Sequence, residues 1–342
     1  MAERMNPVQP LPIPRRFYMG KTDVVMRDYL SDRTRFADFF NGVFFHGTPV
    51  IKATDLLEAS EQYASDKGKH ISPRFRDLKM TLRTGETLRI LSLENQTHID
   101  YSMPFRCMEY DTLEYVKQLK QIKQHNKEHK LLHSAAEKLC GLQKTDRLAP
   151  VYTLCLYHGE EPWDGPLSLR DMMDFGADGD DMSRYFADYP FRLFCVNDHT
   201  DFDMFHTELR EVFTAMTYRQ DKKMLYRTLS ENPAYQSLDE DTVKVLSITL
   251  NIPKLWDERE SFMHINEENE EEFDMCQAMR ELLADARAVG VNEGVSQGIT
   301  QGIQNKTHIV VSNMLKRGMS TEDICALAEC SEEFVEKARA EL

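Results

Sequence analysis

Apolar positions at Leu88, Ile90, Leu91 and Leu93 predict a half-buried strand that ends near Glu94. The turn before it is Thr84-Gly85-Glu86-Thr87, and a glycine at the first loop position suits a type II′ hairpin. Counting outward from a Thr84–Thr87 pair brings Asp77 opposite Glu94. Upstream, Phe36, Phe39, Phe40, Val43 and Phe44 recur at spacings of three and four, the stripe of the second of two amphipathic helices. Downstream, a long helix is expected from about Met103 to Leu132. Its apolar face is read as Phe105, Met108, Leu113, Val116 and Leu119. "APVYTLCLYHG" and "RLFCVND" predict two more strands, joined through a short helix around "SLRDMMDF".

Beyond Asp203 the pattern becomes helix after helix, followed by the acidic run "NEENEEEFD", read as a solvated face or loop. Gly290, Gly294, Gly298 and Gly302 recur every fourth residue, and this segment is expected to be a flexible or conditionally helical linker. Two short helices with N-caps at Ser320 and Ser331 close the chain.

The hairpin carries a chemical question. Directly opposed side chains have Cβ atoms about 4.5–5.5 Å apart, and like charges there are destabilising. A cation between Asp77 and Glu94, or a proton on one of them, relieves that conflict. Period two puts Glu94 and Gln96 on one face of their strand and Asn95 on the other, with Asp77 and Lys79 on the matching face of the partner. The plain alternative is an exposed polar face whose acid pair is accidental.

The net charge of −15 makes the chain as a whole repel polyanions, so a nucleic-acid role needs a local basic surface. Two segments provide one: Ser65–Arg89 holds seven Lys/Arg against three acids, and Lys117–Arg147 holds eight against three. Lys117, Lys120, Gln124, Lys127 and Lys130 form one helical stripe, either a solvated face or one wall of a phosphate-binding groove. No apolar run approaches the ~20 residues that span a bilayer, and the N-terminal sequence has no apolar signal region. Seven cysteines without a CxxC pair point to reduced thiols and a cytoplasmic place.

Several apparent motifs fail. "DFGADGDD" lacks the ligand pattern of a calcium loop and the companions of a kinase site. His125, His129 and His133 share a helical spacing but have no metalloprotease glutamate. A helix-turn-helix at the C-terminus would present Glu332, Glu333 and Glu336 to phosphates, so an oligomerising or partner-binding tail is the better reading.

Asp77, a short hairpin and then Glu94-x-Gln96 together resemble the PD-(D/E)XK nuclease superfamily in its Glu-x-Gln form. "TDVVMRDYLSDRTRFADFFNGVFF", "ILSLENQTHIDYSMPFRCMEYDTLEYVKQL" and "PVYTLCLYHGEEPWDGPLSLRDMM" narrow this, as do "LKRGMSTEDICALAECSEEFV" and the glycine repeat. These segments are similar to the recombination-promoting nuclease, or putative transposase, family, over about Lys21 to Val335. Arg106 and Tyr110 on the next helix, and Trp163-x-Gly165-Pro166 later, add to the ordered set.

The resemblance implies an α/β fold, a restriction-endonuclease-like mixed sheet flanked by helices, followed by an all-α region and a helical tail. The expected divisions are an arm at 1–20, a nuclease-like core at 21–200, a helical region at 201–289, and the glycine segment with its helix pair at 290–342. It also implies a DNA endonuclease associated with recombination or mobile elements. Asp77 and Glu94 would hold Mg²⁺ or Mn²⁺ with help from the Asn95 carbonyl, oxygen ligands favouring these ions over zinc.

Gln96 stands where the superfamily commonly has lysine. It would position the attacking water, and Lys79 would supply the charge that glutamine lacks. Arg106, Tyr110, Lys117 and Lys120 would face DNA, the alternative for Arg106 being an ion pair with an acid such as Glu109 or Asp111. The rival function is a catalytically weak or inactive nuclease-fold protein that serves as a DNA- or protein-interaction scaffold. In either case the C-terminal helices would join copies of the chain.

Overall fold

A computed structural model describes residues 20–58, 77–176 and 181–342. The N-terminal arm, residues 65–76 of the first basic segment and part of the "DFGADGDD" loop lie outside the described residues. The chain forms two compact units that divide between Cys276 and Gln277.

The first unit opens with helices α1 (Lys21–Leu30) and α2 (Arg33–Phe45), the two expected from the aromatic stripe. Asp32 starts α2 by accepting the amides of Thr34 and Arg35, which have no partner inside the helix. Phe36, Phe39 and Phe40 are fully buried, and the Phe39 ring meets Phe194, Phe205 and Phe213.

Strands β1 (Leu56–Glu58), β2 (Leu78–Thr84), β3 (Thr87–Gln96), β4 (Val151–Tyr157) and β5 (Leu193–Cys195) form one sheet in that order. The first three are antiparallel neighbours, while β3, β4 and β5 run parallel. The β2–β3 register runs from Thr84↔Thr87 to Leu78↔Leu93, as the turn chemistry requires. Gly85 has φ of +61°, and Glu86 is not in the positive-φ region, the backbone of a type II′ turn.

The crossover from β3 to β4 contains α3 (Met103–Glu128) and the short α4 (Ala135–Cys140). The face α3 turns to the protein is not the one its apolar spacing indicates. Met103, Cys107, Tyr110, Asp111 and Glu114 are buried, whereas Phe105 is 46% exposed and Leu113 and Val116 are also exposed. The sheet face involved carries Lys79, Ser92, Glu94 and Thr153, so the helix answers with polar partners. Asp111 accepts from the Thr153 hydroxyl at 2.6 Å, and Glu114 accepts from Lys79 at 2.9 Å. Buried polar groups demand such partners more strictly than methyl groups demand cover. His133 lies beyond the end of α3, so the three histidines do not share one helix.

Helices α5 (Leu209–Thr217), α6 (Lys222–Glu231), α7 (Glu240–Thr249) and α8 (Lys254–Asp257) follow. Helix α7 is tied to the start of the chain. Tyr29 shares a 2.8 Å hydrogen bond with Thr242, and Arg35 pairs with Asp239 and, at 3.4 Å, with Asp241. The acidic run is partly a strand. Residues Met263–Ile265 (β6) and Glu271–Phe273 (β7) form a hairpin whose turn is held by Asn266 Oδ1 on the amides of Glu268 and Glu270.

The glycine segment is helical throughout and not a flexible coil: α9 runs from Met275 to Lys316. Each interior glycine costs it about 1 kcal/mol relative to alanine. Helices α10 (Thr321–Ala328) and α11 (Glu332–Ala340) start at the expected caps Ser320 and Ser331. In the second unit Val311, Ile324, Val335 and Ala338 form a small buried cluster. Among the described residues no helix is long and apolar enough to cross a membrane.

Candidate functional site

The site gathers where β3 ends. Glu94 is on the α3 side of the sheet and only 1% exposed, because β4 runs beside it in parallel and α3 covers that face. Asp77 lies one step beyond the Leu78↔Leu93 pair, and its Oδ2 accepts the Asn95 amide at 2.7 Å. This bond fixes the Asp77 carboxylate against the Glu94–Asn95 peptide. Burial pushes its pKa up, opposed by the Asn95 amide and by the Arg106 charge.

Asn95 turns to the other face, where its Nδ2 donates to the Asp23 carbonyl at 2.9 Å. Gln96 is half-buried at the strand end, and its carbonyl accepts from the His158 amide at 3.0 Å. Asp77, Glu94, Asn95 and Gln96 are thus brought together.

Arg106 supplies the positive charge at this point. It lies 3.5 Å from Glu94 and 2.5 Å from Asp100, so Arg106 does ion-pair with acids, though with these two and not with Glu109 or Asp111. Tyr110 is buried with its ring centre 6.0 Å from the Arg106 guanidinium, which leaves it no free face for DNA.

Lys79 is placed differently from expectation. It is opposite Ser92, four residues back along β3 from Gln96, about 13 Å at about 3.3 Å per residue. In an antiparallel pair, two residues forward on each strand leads in opposite directions. Lys79 therefore reaches Glu114 on α3, and both side chains are nearly inaccessible. Lys117 and Lys120 lie further along α3, about 16 and 21 Å from Arg106 at 1.5 Å per residue, half-buried and exposed respectively.

Two residues near the site were not singled out by their spacing. Asp23, in the first turn of α1, caps Gly20 with Oδ2, and its charge acts on Asp77. His158, just after β4, is buried with Nε2 3.9 Å from Asp23 Oδ1. Burial, then the Arg219 charge, lowers its pKa to about 3, so the ring is neutral. "TDVV" and "LYHG" carry no spacing signal that joins them. Only packing of α1 across the ends of β3 and β4 does so.

The donor set fits a hard divalent cation. Asp77 and Glu94 offer carboxylate oxygens at the ends of adjacent strands, while the buried acceptor Asn95 Oδ1, which has no hydrogen-bond donor among the described residues, lies on the opposite face of the sheet with Asp23. No three His, Cys, Asp or Glu side chains among the described residues close around one point.

Comparison with curated proteins and with solved structures finds no match. A family model described as "Putative transposase, YhgA-like" matches residues 20–232, which include α1, the whole sheet, α3 and every residue of the site. The chain belongs to this YhgA-like transposase family.

Proposed function

We propose that the protein is a metal-dependent DNA endonuclease of the PD-(D/E)XK type in its Glu-x-Gln form, acting on behalf of mobile elements or recombination. Membership of the transposase family supports the substrate class. The observation that carries the reading is the Asp77–Asn95 hydrogen bond, which holds one acid against the strand end that bears the other. Asp77 and Glu94 would hold Mg²⁺ or Mn²⁺. The ion would supply a more acidic bound water and charge neutralisation at the phosphate. Gln96 orients the attacking water through its side-chain amide.

Arg106 balances Glu94 before substrate arrives and presents a bidentate donor to phosphate when it does. Lys117 and Lys120 continue that basic line along α3. Lys79 has no part in the chemistry, because its ammonium is committed to Glu114. The seven cysteines, none of them in a disulfide, support a cytoplasmic place.

Nicking of supercoiled plasmid with Mg²⁺, Mn²⁺ or chelator tests the reading. Cleavage should need the ion and should be lost in Glu94→Gln. Undiminished cutting by that variant would remove Glu94 from the site.

A second reading, a nuclease fold retained as a weak or inactive DNA-binding scaffold, draws on the Arg106–Glu94 pair. That pair already satisfies part of the charge an ion would meet. Plasmid binding without metal-stimulated nicking would favour it.

A further inference from the structure

Helix α10 ends at Glu329, whose backbone is left-handed with φ of +50°. The amide of the next residue, Cys330, donates back to the Cys325 carbonyl at 3.3 Å. This is the Schellman closure, in which the side chain after the left-handed residue meets one from the last turn of the helix. The closure asks only for an apolar contact at those two places. Here both are cysteines, and their thiols share a hydrogen bond.

Both side chains are half-buried, packed at the edge of the cluster of Val311, Ile324, Val335 and Ala338. Elsewhere nearness and access do not coincide. Cys107 and Cys155 share a core cluster but are buried, and the exposed Cys140 turns its thiol to the carbonyls of Glu137 and Leu142. A disulfide needs two Cβ atoms about 4 Å apart and facing each other, and the Schellman contact brings these two face to face.

We propose that Cys325 and Cys330 are an oxidation site, closed to a disulfide by a peroxide and reopened by a dithiol. The Cys325 thiolate attacks one peroxide oxygen, the O–O bond breaks, and a sulfenic acid and one water result. Cys330 then attacks the Cys325 sulfur. The S–S bond forms as the S–O bond breaks, and a second water leaves. The two sulfurs lose two electrons and the peroxide gains them. Burial, then the Cys325 charge, pushes the Cys330 thiol up, which suits it to the second step. A dithiol reverses the bridge and departs as its own disulfide. The closed form ties the end of α10 to the residue before Ser331, the cap of α11. A transient bridge of this kind fits a compartment that keeps thiols reduced. The site is independent of the endonuclease reading.

Hydrogen peroxide added to the reduced full chain, followed by iodoacetamide and trypsin, tests it. Cleavage after Arg317 and Lys337 yields fragment 318–337, which carries Cys325 and Cys330 and no other cysteine. That fragment should lose the mass of two hydrogens and resist alkylation, and dithiothreitol should restore both properties. Cys330→Ser should instead accumulate a sulfenic acid on Cys325, trapped as its dimedone adduct. A wild-type fragment that still takes two alkyl groups would overturn the proposal. So would one that gains oxygen on Cys325 without bridging, or a bridge that forms only between two chains. A Cys330→Ser chain without the adduct would overturn the order of the two steps.

Discussion

The carboxylate of Asp77 accepts the backbone amide of Asn95 at 2.7 Å, so one acid of the site is fixed by the peptide that follows the other. Asp77→Asn should keep the fold, because an amide oxygen can still accept that bond and a buried charge is removed. Plasmid nicking should fall at least about 100-fold, since changes one shell out from a metal already cost 10–100-fold. A thermal melt beside the nicking rate separates the two effects, and a folded variant that still cuts would displace Asp77 from the role.

Arg106 touches both Glu94 and Asp100. Arg106→Gln should destabilise the protein by about 2 kcal/mol, less than the 3–5 of a fully buried pair because the arginine is partly exposed. Added Mn²⁺ should raise the melting temperature of this variant more than that of the wild type, where the ion must share Glu94 with the guanidinium. Equal shifts would show that metal and arginine do not meet.

Lys79 and Gln96 should act separately. Lys79→Ala removes the Lys79 ammonium from buried Glu114 and should cost about 3–5 kcal/mol, which Lys79→Met with Glu114→Leu largely restores. Gln96→Lys should keep or raise activity by adding charge near the attacking water. A double-mutant cycle on nicking rate should be additive at this separation. Strong coupling would mean that Lys79 reaches the chemistry after all.

Glu208 lies among Asp239, Thr242 and Arg35, and burial, then the Asp239 charge, raises its pKa to about 7. A carboxyl with a raised folded pKa contributes stability that is present below its unfolded pKa and is lost as pH rises through about 7. Glu208→Gln should therefore melt near the wild type at pH 5 and above it at pH 8, by roughly 1 kcal/mol or more. A difference that does not change across that range would contradict the assignment.

The parts of the site legible in the sequence were local. The Gly85 turn fixes a register that reaches Asp77 and Glu94, and serine caps mark the last two helices, because each depends on residues close in sequence. What stayed hidden depends on long-range packing. The spacing of Phe105, Leu113 and Val116 predicts the core face of α3, but the sheet beneath is polar and selects Asp111 and Glu114. Asp23 and Asn95 meet across a separation of 72 residues, and no pattern in either segment announces it.

The ties from α1 and α2 to α7 separate the inherited module from the foldable one. The family match stops at residue 232, yet Tyr29 and Arg35 find Thr242, Asp239 and Asp241 beyond it. A protein truncated at the family boundary keeps every residue of the catalytic proposal and loses those partners, leaving a tyrosine and an arginine of its first two helices without them. Recombination that exchanged modules at that boundary would deliver the site without the helix to which its first two helices are tied.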